Sequence, residues 1–216
     1  EYDLVESLNC PRVEFAWDDA SDGSPVPLVN ADARAQVALT TPLDYAGQTY
    51  NAVTISANGY VSFGTDAIPY SDKVNYPIPW PAAPDRLVAP LWADLSQSVG
   101  GAVYYQDLPD RLIVEWHRVS FQGYVQQTSE LTFQVIFYRG SGHIVFQYQT
   151  LRGPNADGGK GTVGVEYGGN AGTQYSYNQA GKLKPGLAIL FVPALPGSTR
   201  TVLDCLFVTQ EELTSC

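Results

Sequence analysis

Three aspartates fall close together in Asp18-Asp19-Ala20-Ser21-Asp22-Gly23-Ser24-Pro25. Calcium is a hard cation that takes carboxylate and carbonyl oxygens. Asp18, Asp19 and Asp22 are therefore the candidate metal ligands, and Ca²⁺ is the one candidate cofactor. The run lacks the EF-hand spacing and its closing Glu, so a solvated turn rich in Asp, Ser, Gly and Pro is the plainer reading. Glu115, Glu130 and Glu166 are the carboxylates on or beside strand-like segments. A glycosidase needs two such groups about 5–10 Å apart in a cleft. No E-x-D-x-x-E run is present, and carboxylates that alternate with apolar neighbours are expected on a solvated sheet face. The two histidines, His117 and His143, lie on different strands. His117 should face away from Trp116, and His143 should be exposed opposite Tyr138. Neither sits in a nucleophile motif such as GxSxG. The loop Arg152–Gly161 approaches a Walker A pattern, but Gly159 stands where the Lys belongs and a strand, TVGVEY, follows. The chain is expected not to be an enzyme, with no catalytic residues.

Aromatic residues allow a different class of function. Tyr175 and Tyr177 project to one face of QYSYN, while Tyr70, Tyr76 and Trp80 crowd a Pro-rich loop. Flat aromatic surfaces stack on sugar rings and favour protein interfaces. Anchoring of loops and core is the commoner use of such residues.

The net charge of −10 repels phosphate backbones, so nucleic acid is not an expected partner. No apolar run approaches the roughly 20 residues that span a bilayer. The chain opens at Glu1 without Met or an apolar leader, as expected of a mature secreted protein whose signal peptide has been removed. Its cysteines are Cys10, Cys205 and Cys216, all outside the strand-rich middle. A disulfide pinning the tails is expected, with one thiol left over or paired between chains. The sequence leaves all three pairings open, and three free thiols as well.

The elements that would position these residues are strands. In LTFQVIFYRGSGHIVFQY, residues 131–148, apolar side chains alternate on both sides of Arg139-Gly140-Ser141-Gly142, the period of a strand with one buried face. A two-residue turn at Gly140-Ser141, of type II′ with Gly140 at positive φ, sets Phe137 opposite Ile144, Val135 opposite Phe146 and Phe133 opposite Tyr148. In NAVTISANGYVSFG the apolar faces agree only if the loop is Ala57-Asn58-Gly59. Ile55 then faces Val61 and Val53 faces Phe63, with Gly59 in the left-handed region of a G1 bulge. RVEFAW and AQVAL alternate within an otherwise irregular segment 1–44. LVAPLWADL is a short apolar segment, Asp107–Asp110 is a turn, and LAILFV, apolar on both faces, is expected to be covered on both sides.

These segments carry a family resemblance. The order Asn58-Gly59-Tyr60-Val61-Ser62-Phe63-Gly64, Ala89-Pro90-Leu91-Trp92-Ala93-Asp94, Gly101–Tyr105, Val114–Val119, Leu131–Val135, Ile144–Tyr148 and Gly164 resembles the nidogen-like extracellular domain (NIDO). Related segments occur in secreted prokaryotic surface modules. The resemblance covers about two-thirds of the chain and implies an extracellular β-sandwich used in adhesion or matrix assembly, without catalysis. It transfers no site residues.

The expected architecture is all-β: an antiparallel, jelly-roll-like β-sandwich with few or no helices. One domain spans residues 1–193, and 194–216 form a tail or linker. That tail carries Val202, Leu203, Leu206, Phe207 and Val208, too apolar for a free linker. Two readings of the termini stand side by side. They exchange between neighbouring subunits, or they fold back on their own sandwich, joined by Cys10–Cys205. The expected function is that of a secreted structural or adhesive module, with a self-assembling cell-surface or filament subunit as its more specific form. Its partners would be proteins, including copies of itself, or glycans. The alternative is a carbohydrate-binding accessory module of a secreted hydrolase.

Overall fold

The computed structural model describes residues 2–6, 13–64, 73–81, 85–97, 100–123 and 129–193. Within them every regular element is a strand. One sheet has six strands: β3 (Arg34–Tyr45), β4 (Gln48–Ser56), β5 (Tyr60–Ser62), β6 (Leu87–Trp92), β12 (Thr162–Gly168) and β13 (Ala171–Tyr177). Its spatial order is β13-β12-β6-β5-β4-β3. The other sheet comprises β1 (Tyr2–Glu6), β2 (Ser24–Pro25), β7 (Leu95–Ser96), β8 (Ala102–Asp107), β9 (Arg111–Phe121), β10 (Glu130–Tyr138), β11 (Ile144–Arg152) and β14 (Leu187–Pro193). Its order is β1-β14-β11-β10-β9-β8-β2, with β7 added to β9. All pairings within both sheets are antiparallel.

The hairpin β10–β11 lies in the middle of the eight-stranded sheet, and its register pairs Phe133 with Tyr148, Val135 with Phe146 and Phe137 with Ile144. All six are buried in the main core. They face Val53, Ile55, Val61, Phe63, Val88 and Leu91 of the opposite sheet, which are buried too. Burial of side chains of this size contributes about 1.5–3 kcal/mol each. Trp116 stacks on Phe133 at 5.2 Å, and its Nε1 donates to Ser56 O at 2.9 Å. Tyr148 OH donates to Pro90 O at 2.6 Å. These two bonds join the sheets through atoms that would otherwise be buried without a partner.

The connection in this hairpin differs from expectation. Tyr138 N donates to His143 O and Gly142 N donates to Tyr138 O, both at 2.9 Å. The loop is thus Arg139–Gly142, and positive φ falls on Gly142 (68°), not Gly140. Loops of two and four residues preserve the same register, so the apolar pattern does not tell them apart. His143, expected to be exposed, is only 6% accessible; the loop packs back so closely that a Cβ on Gly142 would lie 3.1 Å from Pro193.

Segment 1–44 is less irregular than expected, for β1, β2 and most of β3 lie within it. AQVAL falls in β3, whereas residues 14–20 of RVEFAW and its extension join no ladder. β14, the LAILFV segment, is buried on both faces along Leu187–Phe191.

Candidate functional site

The turn Ala57-Asn58-Gly59 is a tightly constrained polar element of the fold. Ile55 pairs with Val61 across it, and Gly59 has φ 82°. Asn58 is fully buried. Its Oδ1 accepts Leu95 N at 2.8 Å, and its main-chain O accepts Ala93 N at 3.1 Å. Gly59 O accepts Leu91 N at 3.3 Å. Gly59 is needed twice, since a Cβ there would stand 1.9 Å from Leu91 O as well as at a forbidden φ. Residues 93–94 are where the chain leaves β6 in one sheet for β7 in the other. The turn therefore bolts that crossing in place.

Two non-ladder segments cover the outer faces of the sandwich. Residues 13–22 cross the eight-stranded sheet. Gln147, Gln134 and Glu115 stand in one row on β11, β10 and β9, since Gln134 pairs with both of the others. Each side chain takes the backbone of an alternate residue in the crossing segment. Gln147 Oε1 accepts Ala16 N at 2.8 Å, and its Nε2 donates to Ala16 O at 2.7 Å. Gln134, in the amide orientation that satisfies both ends, donates to Asp18 O at 2.8 Å and accepts Asp18 N at 3.2 Å. Glu115 Oε2 accepts Ala20 N at 2.9 Å. Apolar contacts flank this row: Val13 with Ala188 and Leu190 on one side, Ala20 with Ile113 and Ile136 on the other. On the opposite face, residues 75–81 cover the six-stranded sheet. Tyr76 stacks on Trp80 at 4.4 Å, and Tyr60, Ile78, Leu87, Ala89 and Trp92 form a buried cluster with Tyr76 packed against it. Glu166 accepts Trp80 N through both oxygens at 3.4 Å.

These covers correct the expectation of solvated carboxylates. Glu115 and Glu166 are each 1% accessible. Burial raises the pKa of Glu115, against the opposing effect of the Ala20 N–H and of His117, whose Nδ1 lies 2.7 Å from Glu115 Oε1. Burial pushes Glu166 up to about 7. The two carboxylates sit on opposite outer faces of the sandwich. Sheets pack about 10 Å apart, so these groups do not converge on one substrate. Glu130, at the start of β10, is half-buried and near Arg118 and Arg152, at 3.6 and 3.5 Å.

The segment order seen here, from the bolted turn to β14, has its counterpart in a known family: NIDO related matches residues 10–187. The chain belongs to the NIDO-related family. It is also similar to alpha-tectorin of Mus musculus and of Homo sapiens, with 24% identity over 159 residues in each case. The match covers 62% of this chain and 7% of the length of either tectorin. No solved structure matches it.

In this NIDO-related domain the edge of the eight-stranded sheet is completed by β1. Its register on β14 runs from Tyr2 opposite Pro193 to Glu6 opposite Ile189. Tyr2 is 7% accessible. Its ring lies 5.9 Å from Tyr45 and 5.7 Å from Tyr167. Tyr2 N donates to Tyr167 OH at 3.3 Å, and Tyr2 O accepts Thr173 Oγ1 at 2.8 Å. Burial pushes the Tyr2 hydroxyl up to about 12. One residue, Tyr2, thus ties β1 to both sheets. Sequence alone gave β1 little signal, because its five residues YDLVE include two carboxylates.

The three aspartates of the NIDO-related domain turn to separate partners. Asp18 Oδ2 accepts Arg111 Nε at 2.8 Å, Asp19 Oδ1 accepts Ser21 N at 2.9 Å, and Asp22 Oδ1 accepts Gln106 Nε2 at 2.5 Å. No group of three or more metal-ligating side chains occurs among the described residues. Tyr175 OH donates to Lys182 O at 2.9 Å, while Tyr177 is 38% accessible. Cys10, Cys205, Cys216, Tyr70 and the apolar tail residues Val202, Leu203, Leu206, Phe207 and Val208 lie outside the described residues.

Proposed function

We propose that this chain is a non-enzymatic extracellular module that works by protein–protein assembly, with its N-terminal strand as the assembling element. The observation that carries this reading is β1. It is short, its ladder among the described residues is with β14 alone, and one ring plugs it into the sandwich. A strand of that kind can be supplied by a neighbouring copy with the same hydrogen bonds and the same Tyr2 pocket. Head-to-tail repetition of such a contact gives a filament unless its rotation closes a ring. The family membership supports an extracellular, non-catalytic role, and so does the use of Glu115 and Glu166 as acceptors for backbone N–H groups. The apolar residues Val202, Leu203, Leu206, Phe207 and Val208 support a second contact made by the C-terminal tail.

Size measurement over a concentration series tests the reading. The full chain should form concentration-dependent oligomers, and a chain lacking residues 1–6 should not assemble. A synthetic peptide of residues 1–6, added in excess, should bind the truncated chain and block assembly of the full one. A full chain that stays monomeric at every concentration, or a truncated chain that assembles as before, would sink it.

A further inference from the structure

Five parts of the chain meet in an open cleft of about 440 Å³ at one end of the sandwich, within the size range of small-ligand sites. Its charge is unlike that of the rest of the molecule. Among the described residues, Lys73 and Lys160 line it together with one carboxylate, Asp94, although the chain has a net charge of −10. The other described polar side chains of the lining are three amides, Asn75, Asn178 and Gln122. Two of these amides are locked. Asn75 Nδ2 donates to Asn178 Oδ1 at 2.9 Å and to Thr162 Oγ1 at 3.1 Å. Asn178 Oδ1 also accepts Gly161 N at 2.8 Å. Asn178 holds this position at a positive φ of 47°, a conformation that asparagine tolerates better than most residues. With these atoms engaged, Asn75 Oδ1 and Asn178 Nδ2 remain, an acceptor and a donor on neighbouring side chains.

We infer that this cleft binds a carboxylated sugar residue, such as a uronic acid at the end of a glycan. A fixed acceptor beside a fixed donor matches a pair of vicinal hydroxyls, each of which both donates and accepts. The lysine ammonium groups supply the counter-charge for a carboxylate. Point charges on flexible stems, with no arginine fork among the described lining residues, suit a ligand held mainly through hydroxyls and less a phosphate or sulfate clamped through its oxygens. The inference stands independently of the assembly role given to β1, which involves none of these residues.

The test uses the full chain labelled with ¹⁵N and titrated at low salt with sodium glucuronate, glucose or sodium sulfate. A single sugar should bind weakly, with Kd on the order of 1 mM. Glucuronate should shift the amide signals of Asp94, Gln122, Gly159–Gly161 and Asn178. Glucose should bind at least tenfold more weakly, and sulfate should fail to reproduce the pattern. The surface double variant Lys73→Ala/Lys160→Ala should weaken glucuronate at least tenfold with the rest of the spectrum unchanged. The inference is overturned if glucuronate shifts no cleft signal, if sulfate gives the same shifts at the same concentration, or if the double variant binds glucuronate as tightly as the original chain.

Discussion

The two covers of the sandwich are anchored alike, yet they serve their buried glutamates differently. Residues 13–22 are held over the eight-stranded sheet by polar side chains from three adjacent strands, each meeting the backbone at 2.7–3.2 Å. Residues 75–81 are held over the six-stranded sheet by aromatic packing, with Tyr76 on Trp80 and Tyr76 against Trp92 at 6.1 Å, and by polar side chains as well: Thr162 Oγ1 donates to Tyr76 O at 2.7 Å, and Gln174 Oε1 accepts Ile78 N at 2.9 Å. Each cover buries one glutamate. Glu115 makes short bonds to Ala20 and His117, whereas Glu166 makes two long ones to the same N–H of Trp80. A buried carboxylate with strong donors is a structural acceptor. One with poor donors is a cost that a proton can relieve.

The sharpest break in this comparison is Glu115→Ala. It strips Ala20 N–H of its acceptor under a buried cover and should destabilise by about 3 kcal/mol. Chemical denaturation gives the total, and faster hydrogen exchange at Ala20 locates it. Next comes Trp80→Ala, which removes a half-buried ring and its stacking on Tyr76 from the other cover, at a cost of about 2 kcal/mol. A smaller loss for Glu115→Ala than for Trp80→Ala would contradict the weight given to the row of Gln147, Gln134 and Glu115.

Glu166→Gln should act with the opposite sign. The folded-state pKa of Glu166, about 7, exceeds its ordinary value near 4.5, so the folded chain holds more protons than the unfolded chain between these pH values. Stability from this group is therefore fully present below pH 4.5 and is lost as pH rises through 7. Glu166→Gln should remove this dependence. The variant should match the original chain near pH 5 and be more stable by about 2 kcal/mol at pH 8. Equal stabilities at pH 8 would mean that Glu166 is as well served as Glu115. The smallest effect is expected from Arg111→Met. Its bond to Asp18 is partly exposed on both sides, so its loss should cost no more than about 0.5–1 kcal/mol.

Much of the core was legible because alternation reports which side of a segment is buried. The pairings Phe133–Tyr148, Val135–Phe146, Phe137–Ile144 and Ile55–Val61 follow from that pattern, and Gly59 follows from the need for loop and faces to agree. Alternation does not report what does the burying. Val13, Phe15 and Trp17 alternate as a strand would, yet they belong to a segment that crosses a sheet without joining it. Glu115 alternates with Val114 and Trp116 as a solvated residue would, yet its cover comes from Ala20, far away in the chain. The candidate site was least legible of all. The cleft brings together Lys73, Asp94, Gln122, Lys160 and Asn178, and no local pattern links residues so far apart in sequence.

The direction of β1 on β14 sets how the domain bears load. Tension applied before Tyr2 and after Pro193 pulls on the same end of an antiparallel ladder, so its rungs open in succession instead of sharing the load. The first rung, Tyr2 opposite Pro193, is the one that carries the ring lodged between Tyr45 and Tyr167. Tyr2 thus acts as a latch on a zip: resistance is greatest at the start, and the other four pairs follow with little further force. In a single-molecule pull along this axis, the first event should be release of β1, and Tyr2→Ala should lower its force while leaving the later unfolding of the sandwich unchanged.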